Sequence, residues 1–113
     1  MILIETQTLK IASGGTDSSG SQGGLFAAYG LVMPATFTGS SISFKVSADG
    51  TTYQALYELD DAATGTQRQV TLAVTQGRSY SLPDALTSWR SFQVISNGAE
   101  GGARDLVLVC KAP

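Results

Sequence analysis

Acidic side chains that could act together lie close in the sequence at Glu58, Asp60 and Asp61. A glycosidase would need two carboxylates held several ångströms apart across a cleft, and a calcium site would need about six oxygen ligands. Three neighbouring carboxylates in a polar stretch supply neither arrangement, and such groups are mostly exposed to solvent. We therefore interpret the three residues as part of a solvated loop.

The sequence lacks the residues of the common catalytic and metal sites. It contains no histidine, which removes Ser-His-Asp and Cys-His nucleophiles, His-ligated zinc and the commonest general base near neutral pH. Cys110 is the only cysteine, so an intrachain disulfide and a thiolate-rich metal site are both excluded. Its spacing from Leu106 and Leu108 places it on the apolar face of a terminal strand, as a buried thiol. We expect no enzymatic activity, no metal and no cofactor.

Length and charge limit the possible partners. The 113 residues are enough for one domain, spanning residues 1–113, with a sizeable core. The net charge is -2, and the seven basic residues are scattered along the chain, which argues against a nucleic-acid surface. No apolar run approaches the length needed to cross a bilayer, and only four residues precede Glu5, too few for a signal peptide. We therefore expect synthesis in the cytoplasm and neither nucleic acid nor membrane as a partner.

The clearest structural signal is a predicted hairpin over residues 41–59. Its first strand alternates in polarity, with a polar outer face that includes Lys45 and an inward face of Ile42, Phe44, Val46 and Ala48. Asp49-Gly50 supplies the positive φ that a tight turn needs. The same alternation predicts an inward face on the return strand made of Tyr53, Ala55 and Tyr57.

Six further stretches predict strands, at residues 2–11, 25–33, 67–74, 79–82, 89–96 and 103–111. A single helical turn is predicted at residues 83–86, after Pro83. Two connections look like exposed loops: residues 13–24, which lack any large apolar side chain and are predicted to be mobile, and residues 60–65. Short strands with no long helix predict an all-β fold, a single antiparallel β-sandwich of jelly-roll type with about eight strands.

The sequence resembles small virion proteins of tailed bacteriophages. The elements that carry the likeness are VSADG at residues 46–50, LY at 56–57, RSYSLP at 78–83, WRSFQV at 89–94 and ARDLVLV at 103–109. The amino-terminal third is similar in kind, with an opening strand, a Ser/Gly-rich stretch and an apolar strand that ends at Val32-Met33-Pro34, so the resemblance extends over nearly the whole chain. These are turn and core residues, so the resemblance concerns the fold more directly than the task.

The resemblance implies a structural protein of the phage particle, of the capsid cement or decoration type. Its partner would be the major capsid protein, its location the virion, and its working form a homo-oligomer. The alternative is a carbohydrate-binding β-sandwich module of a tail fibre or baseplate. That function would require two or three exposed aromatic rings beside polar groups, and the candidates are Tyr29, Tyr53, Tyr57 and Trp89.

The first predicted strand is the preferred place for a contact with another chain. Its apolar residues Leu3, Ile4, Leu9 and Ile11 do not resolve onto a single face, so some of them would be covered by a partner if the strand acts as a terminal arm. The alternative is that the strand is covered on both faces within its own sandwich. The loops at residues 13–24 and 60–65 are further candidate contact regions because they are long and polar.

Overall fold

The computed structural model describes residues 4–22, 26–61 and 63–113. Its strands are β1 (Ile4–Ile11), β2 (Ala28–Val32), β3 (Ser41–Ser47), β4 (Gln54–Ala55), β5 (Tyr57–Asp61), β6 (Thr66–Gln69), β7 (Thr71–Ala73), β8 (Ser79–Ser81), β9 (Ser91–Ser96) and β10 (Arg104–Lys111). A short 3-10 helix, Asp84–Ser88, confirms the predicted helical turn. Single residues, Leu56 and Val70, separate β4 from β5 and β6 from β7, so these strands form eight extended stretches.

The strands form an antiparallel sandwich. Sheet A has the order β1-β10-β2-β8. In sheet B, β3 pairs with β9 on one side, while β4 and β7 share its other side. Strands β5 and β6, which continue the chain from β4 and lead into β7, pair with each other and form a separate hairpin beyond the edge of β3. The predicted all-β antiparallel fold is confirmed.

Residues 16–22 join the edges of the two sheets. The Ser18 N–H donates to the Val94 carbonyl of β9 at 2.9 Å. On the opposite side, the Ser19 N–H donates to the Lys10 carbonyl of β1 at 2.9 Å. Counted as a strand, this segment lies next to β9, and the order of sheet B becomes 16–22, β9, β3, then β4 and β7. With sheet A, this is the strand order of a jelly roll.

The prediction of a mobile loop is therefore wrong for the described part of residues 13–24. Serine hydroxyls, and not apolar side chains, attach the segment to sheet B. Ser18 Oγ accepts from the Val94 N–H at 2.9 Å, and Ser21 Oγ accepts from the Phe92 N–H at 3.0 Å. Both serines are buried. A Cβ at Gly20, which lies between them, would come too close to the Tyr53 hydroxyl, so a larger residue there would force the Tyr53 side chain to shift.

The core lies between the two sheets and draws on both. Its fully buried members include Leu9, Ile11, Leu31, Leu106 and Leu108 from sheet A, and Ile42, Phe44, Phe92 and Val94 from sheet B. The Phe92 ring meets Phe44 and Tyr29 edge-to-face, at centroid distances of 6.3 and 5.0 Å. Cys110 is buried as predicted, and this burial raises the pKa of its thiol to about 11, so it stays protonated.

The predicted hairpin exists, but only its first strand has the predicted face. Ile42, Phe44 and Val46 point into the core, whereas Ala48 is exposed and Leu56 is the inward residue of the return segment. The reason is the connection: Val46 pairs with Gln54, so residues 47–53 form a longer loop with Gly50 at φ 85° in place of a two-residue turn. A shift of one residue exchanges the two faces of a strand. Tyr53, Ala55 and Tyr57 are thereby removed from the predicted inward face.

The acidic residues at 58–61 belong to a strand. Asp60 and Asp61 are in β5, and residues 63–65 form a turn, so the predicted loop at 60–65 is wrong for residues 60 and 61. Arg68 of β6 donates to Glu58 at 2.7 Å and lies 3.5 Å from Asp60. These are exposed ion pairs of small energetic value. In the part of the chain that the structure describes, no group of three His, Cys, Asp or Glu side chains is placed to hold a metal ion.

Glu100 is a buried carboxylate that ties two loops together. It accepts hydrogen bonds from the Thr38 N–H at 2.8 Å and the Gly39 N–H at 3.0 Å. Ser96 Oγ donates to it at 2.9 Å, and Arg104 Nε donates at 2.9 Å. Its side chain is fully buried, whereas Arg104 retains a little exposure. The loop before β3 and the loop before β10 are thus joined through one side chain.

Acid is expected to destabilise this fold below about pH 4. Burial acts to raise the pKa of Glu100, but its hydrogen bonds, led by the Thr38 N–H, lower the pKa further than burial raises it. Hydrogen bonding to Lys45 lowers the pKa of Asp17. A carboxyl whose folded pKa lies below its unfolded value stabilises the fold above the unfolded pKa, and this stability is lost as the pH falls through the folded pKa.

Urea denaturation at a series of pH values measures this loss as a decline in the free energy of unfolding. The Glu100→Gln variant, whose side chain does not titrate, should show a shallower decline. An equally steep decline in both proteins would contradict the assignment to Glu100.

Candidate binding surfaces

The residues predicted to contact another chain divide between the core and the surface. Leu9 and Ile11 are each 1% exposed and lie in the domain's own core, so their prediction as interface residues is wrong. Ile4 is 62% exposed, and Leu3 lies outside the described residues. Strand β1 pairs with β10 from Ile4 to Ile11, so its described length is an integral strand and not a free arm.

In the described strands, the middle of the solvent-facing side of sheet A carries no charged side chain. Two cross-strand rows form it: Thr8, Val107, Val32 and Ser79 in one, and Thr6, Val109, Gly30 and Ser81 in the other. We call these eight residues the outer face of sheet A. Among the described residues, the charges of this side lie at its ends, where Lys10 and Asp105 pair at 3.6 Å and Lys111 lies opposite Ile4. A partner could cover this surface without desolvating a charge.

The four aromatic candidates do not form one platform. Tyr29 is buried against Phe92, and the Tyr53 hydroxyl is 2.7 Å from Ser91 Oγ. Tyr57 and Trp89, however, are 55% and 38% exposed and line the same groove. Two of the four predicted aromatic residues therefore line one site.

We call this site the Trp89 groove. It has a volume of about 420 Å³. Its lining combines the two aromatic rings with Asp49, Thr52 and Gln54 on the polar side, and with the buried residues Val46 and Leu56. The apolar floor and polar rim are the combination that small-ligand sites use to provide affinity and orientation together.

Local hydrogen bonds position the residues of the groove. Trp89 directly follows the 3-10 helix, and its backbone N–H donates to the carbonyl of Leu86, a fully buried residue, at 3.3 Å. The Asp49 carboxylate accepts from the Thr51 and Thr52 N–H groups, each at 2.9 Å. These bonds hold the pKa of Asp49 far below its ordinary value, and the bond from Thr52 has the largest effect. Asp49 is therefore ionised near neutral pH.

Sequence reasoning missed Asp49, Thr52 and Gln54 as groove residues because it assigned Asp49 to a tight turn and placed the return strand in the wrong register. It also missed Glu100, which looked like an ordinary turn residue. A usable signal for Glu100 was present: Arg104 follows four residues later, at the start of a strand.

Comparison with known proteins bears on the fold. No family model matches the chain, and no curated protein matches it significantly. The solved structure of the SPBc2 prophage-derived protein YomS is similar, with a TM-score of 0.58 and 8% identity, over 97% of this chain and 96% of that one. At this identity the likeness shows a shared fold.

Two other solved structures are less similar. A cupin domain from Bordetella pertussis has a TM-score of 0.45 and 14% identity, over 97% of this chain and 82% of that chain. PirA has a TM-score of 0.39 and 15% identity, over 94% and 92% respectively. Among the described residues, no helix has the length and apolar character needed to span a membrane.

Proposed function

We propose that this chain is a non-enzymatic structural protein of a tailed-bacteriophage particle, and that it acts as a capsid cement or decoration protein. The observation that carries the proposal is the fold shared with a prophage-derived protein over nearly the full length of both chains. The five sequence elements that resemble small phage virion proteins support it independently. In this role the chain is made in the host cytoplasm and binds and stabilises the shell of the major capsid protein.

The docking surface in this proposal is the outer face of sheet A. Its two rows of short, uncharged side chains suit contact with another protein surface, and Ile4 extends the apolar area at one end. Many identical copies on one particle gain avidity from contacts that are individually weak. We also propose that neighbouring copies associate with one another, because such contacts add to the avidity of the array.

A non-enzymatic role is consistent with how the ionisable groups are used. Glu58 and Asp60 of β5 pair with Arg68, Asp61 accepts from the Ala63 N–H, and Glu100 is fully engaged with its loop partners. The scattered basic residues give no concentrated surface for phosphates, so nucleic acid and membrane are not part of the proposal.

Particles that lack this protein provide the test. Added wild-type protein is expected to bind them and to raise the temperature at which they release their contents. The Val32→Arg variant is expected to bind at least about tenfold more weakly, because an unpaired charge buried in an interface costs more than about 1.4 kcal/mol. Sedimentation of protein with particles measures the binding, and circular dichroism shows that the variant is folded.

The matched control is Thr71→Arg, which adds the same charge at an exposed position of sheet B. It is expected to bind like the wild type. Failure of the wild-type protein to bind its own particles would reject the cement role. Normal binding by Val32→Arg would reject the outer face of sheet A as the docking surface and leave the role itself standing.

A further inference from the structure

The Trp89 groove offers a second binding activity that does not depend on the shell-binding role. We propose that it binds a neutral pyranose ring of a glycan. The proposal rests on three features of the groove, which are its two exposed aromatic rings, its unengaged hydrogen-bonding groups and its charge.

The aromatic rings come from separate elements. Tyr57 begins β5, and Trp89 follows the 3-10 helix, yet both line one groove and both remain open to solvent. The face of an aromatic ring carries partial negative charge, so it attracts the slightly positive C–H groups on the flat side of a pyranose. Large rings with so much exposure do not serve the core, whose buried aromatic members are Tyr29, Phe37, Phe44 and Phe92.

The polar groups beside the rings are oriented and still available. Ser47 Oγ, the Thr51 N–H and the Thr52 N–H all donate to Oδ1 of Asp49. The second oxygen, Oδ2, has no partner among the described residues. The Gln54 carboxamide likewise makes no hydrogen bond within residues 4–22, 26–61 and 63–113, although its backbone is fixed by pairing with Val46. A carboxylate acceptor and an amide with both donors and an acceptor match neighbouring sugar hydroxyls, each of which donates and accepts.

Charge narrows the ligand class. Among the described residues that line the groove, Asp49 alone is charged; Arg90, whose side chain lies beside Gly50, is not part of the lining. The negative charge of Asp49 disfavours uronic acids, sialic acids and phosphates, because like charges repel. The groove therefore selects uncharged sugars. Its volume of about 420 Å³ admits one or two sugar rings, and its open shape suits a residue within a longer chain.

Intrinsic fluorescence measures this activity directly, because Trp89 is the only tryptophan of the chain. The intact protein is titrated with the methyl glycosides of glucose, galactose, mannose and N-acetylglucosamine, and with glucuronate as the charged comparison. At least one neutral glycoside is expected to give a saturable change in Trp89 emission and a shift of the indole N–H resonance. Glucuronate is expected to give neither at the same concentration.

Two substitutions on the same strand provide the decisive comparison. Tyr57→Ala is expected to weaken binding by about tenfold, since it removes one aromatic wall. Leu59→Ala removes an equally exposed apolar side chain two residues away that does not line the groove, and it should bind like the wild type. Neither variant should alter particle binding, because the outer face of sheet A does not contribute to the groove.

The absence of any saturable response to the neutral glycosides would overturn the proposal. Equal binding by wild type and Tyr57→Ala would overturn it as well, as would equal weakening by Tyr57→Ala and Leu59→Ala. A response to glucuronate as strong as that to neutral sugars would contradict the selection by Asp49. None of these results affects the shell-binding role, which is tested by particle binding.

Discussion

The Glu100→Ala variant is expected to lose about 3 kcal/mol of unfolding free energy. Truncation removes the acceptor of the Thr38 and Gly39 N–H groups and the counter-ion of Arg104, whose guanidinium keeps a hydrogen bond to Thr38 Oγ1 at 3.4 Å. A backbone donor that loses its acceptor, or a charge that loses its counter-ion, keeps the cost of its desolvation where water is scarce. Chemical denaturation of the wild type and the variant at neutral pH measures the difference.

The chain contains a matched ion pair for comparison. Glu58 and Arg68 are 2.7 Å apart, about as close as Glu100 and Arg104 at 2.9 Å, but they lie on the surface of the β5–β6 hairpin. Glu58→Ala is therefore expected to cost no more than about 0.5 to 1 kcal/mol. Similar losses of unfolding free energy for the two alanine variants would show that Glu100 does not stabilise the contact between the two loops.

Phe44→Ala should be the most destabilising single truncation in β3, at about 3 to 5 kcal/mol. The ring is fully buried in the centre of sheet B and packs edge-to-face on Phe92 at 6.3 Å. Removing it leaves a cavity that strands from both sheets surround, and such strands relax little. Urea denaturation monitored by circular dichroism gives the free energy of unfolding.

Lys45→Ala is the neighbouring control. Lys45 lies on the opposite face of the same strand and forms a half-exposed ion pair with Asp17 at 2.7 Å. Its truncation is expected to cost about 0.5 to 1 kcal/mol. If both variants lost the same stability, the inward face of β3 would have to be reassigned.

Alternating polarity was enough to predict the face of β3 correctly, because Ile42, Phe44 and Val46 occupy every second position of a strand with one buried side. The same rule failed after Asp49. The loop there is longer than a two-residue turn, and nothing in the composition of residues 47–53 determines its length. The return segment was therefore predicted in the wrong register, and Tyr57 was predicted to face the core that Leu56 actually enters.

The candidate site could be predicted only in part for related reasons. Trp89 and Tyr57 were recognisable as possible ligand contacts by residue type, but their convergence depends on the 3-10 helix and the loop after β3. Pattern reasoning from apolar spacing also could not detect the strand-like role of residues 16–22. Their order comes from serine hydroxyls bonded to the backbone of β9, a signal that hydrophobicity does not carry.

That serine-bonded segment also determines where the molecule opens first. It is held by individual hydrogen bonds and contributes almost no apolar burial, so its amides should exchange with solvent sooner than those of β3 or β10. When it detaches, the backbone edge of β9 and the end of β1 at Lys10 lose their hydrogen-bond partners together, and unpaired edges readily recruit strands from another molecule. We therefore expect residues 16–22 to protect the domain from edge-to-edge aggregation, with the Asp17 to Lys45 ion pair as part of that protection.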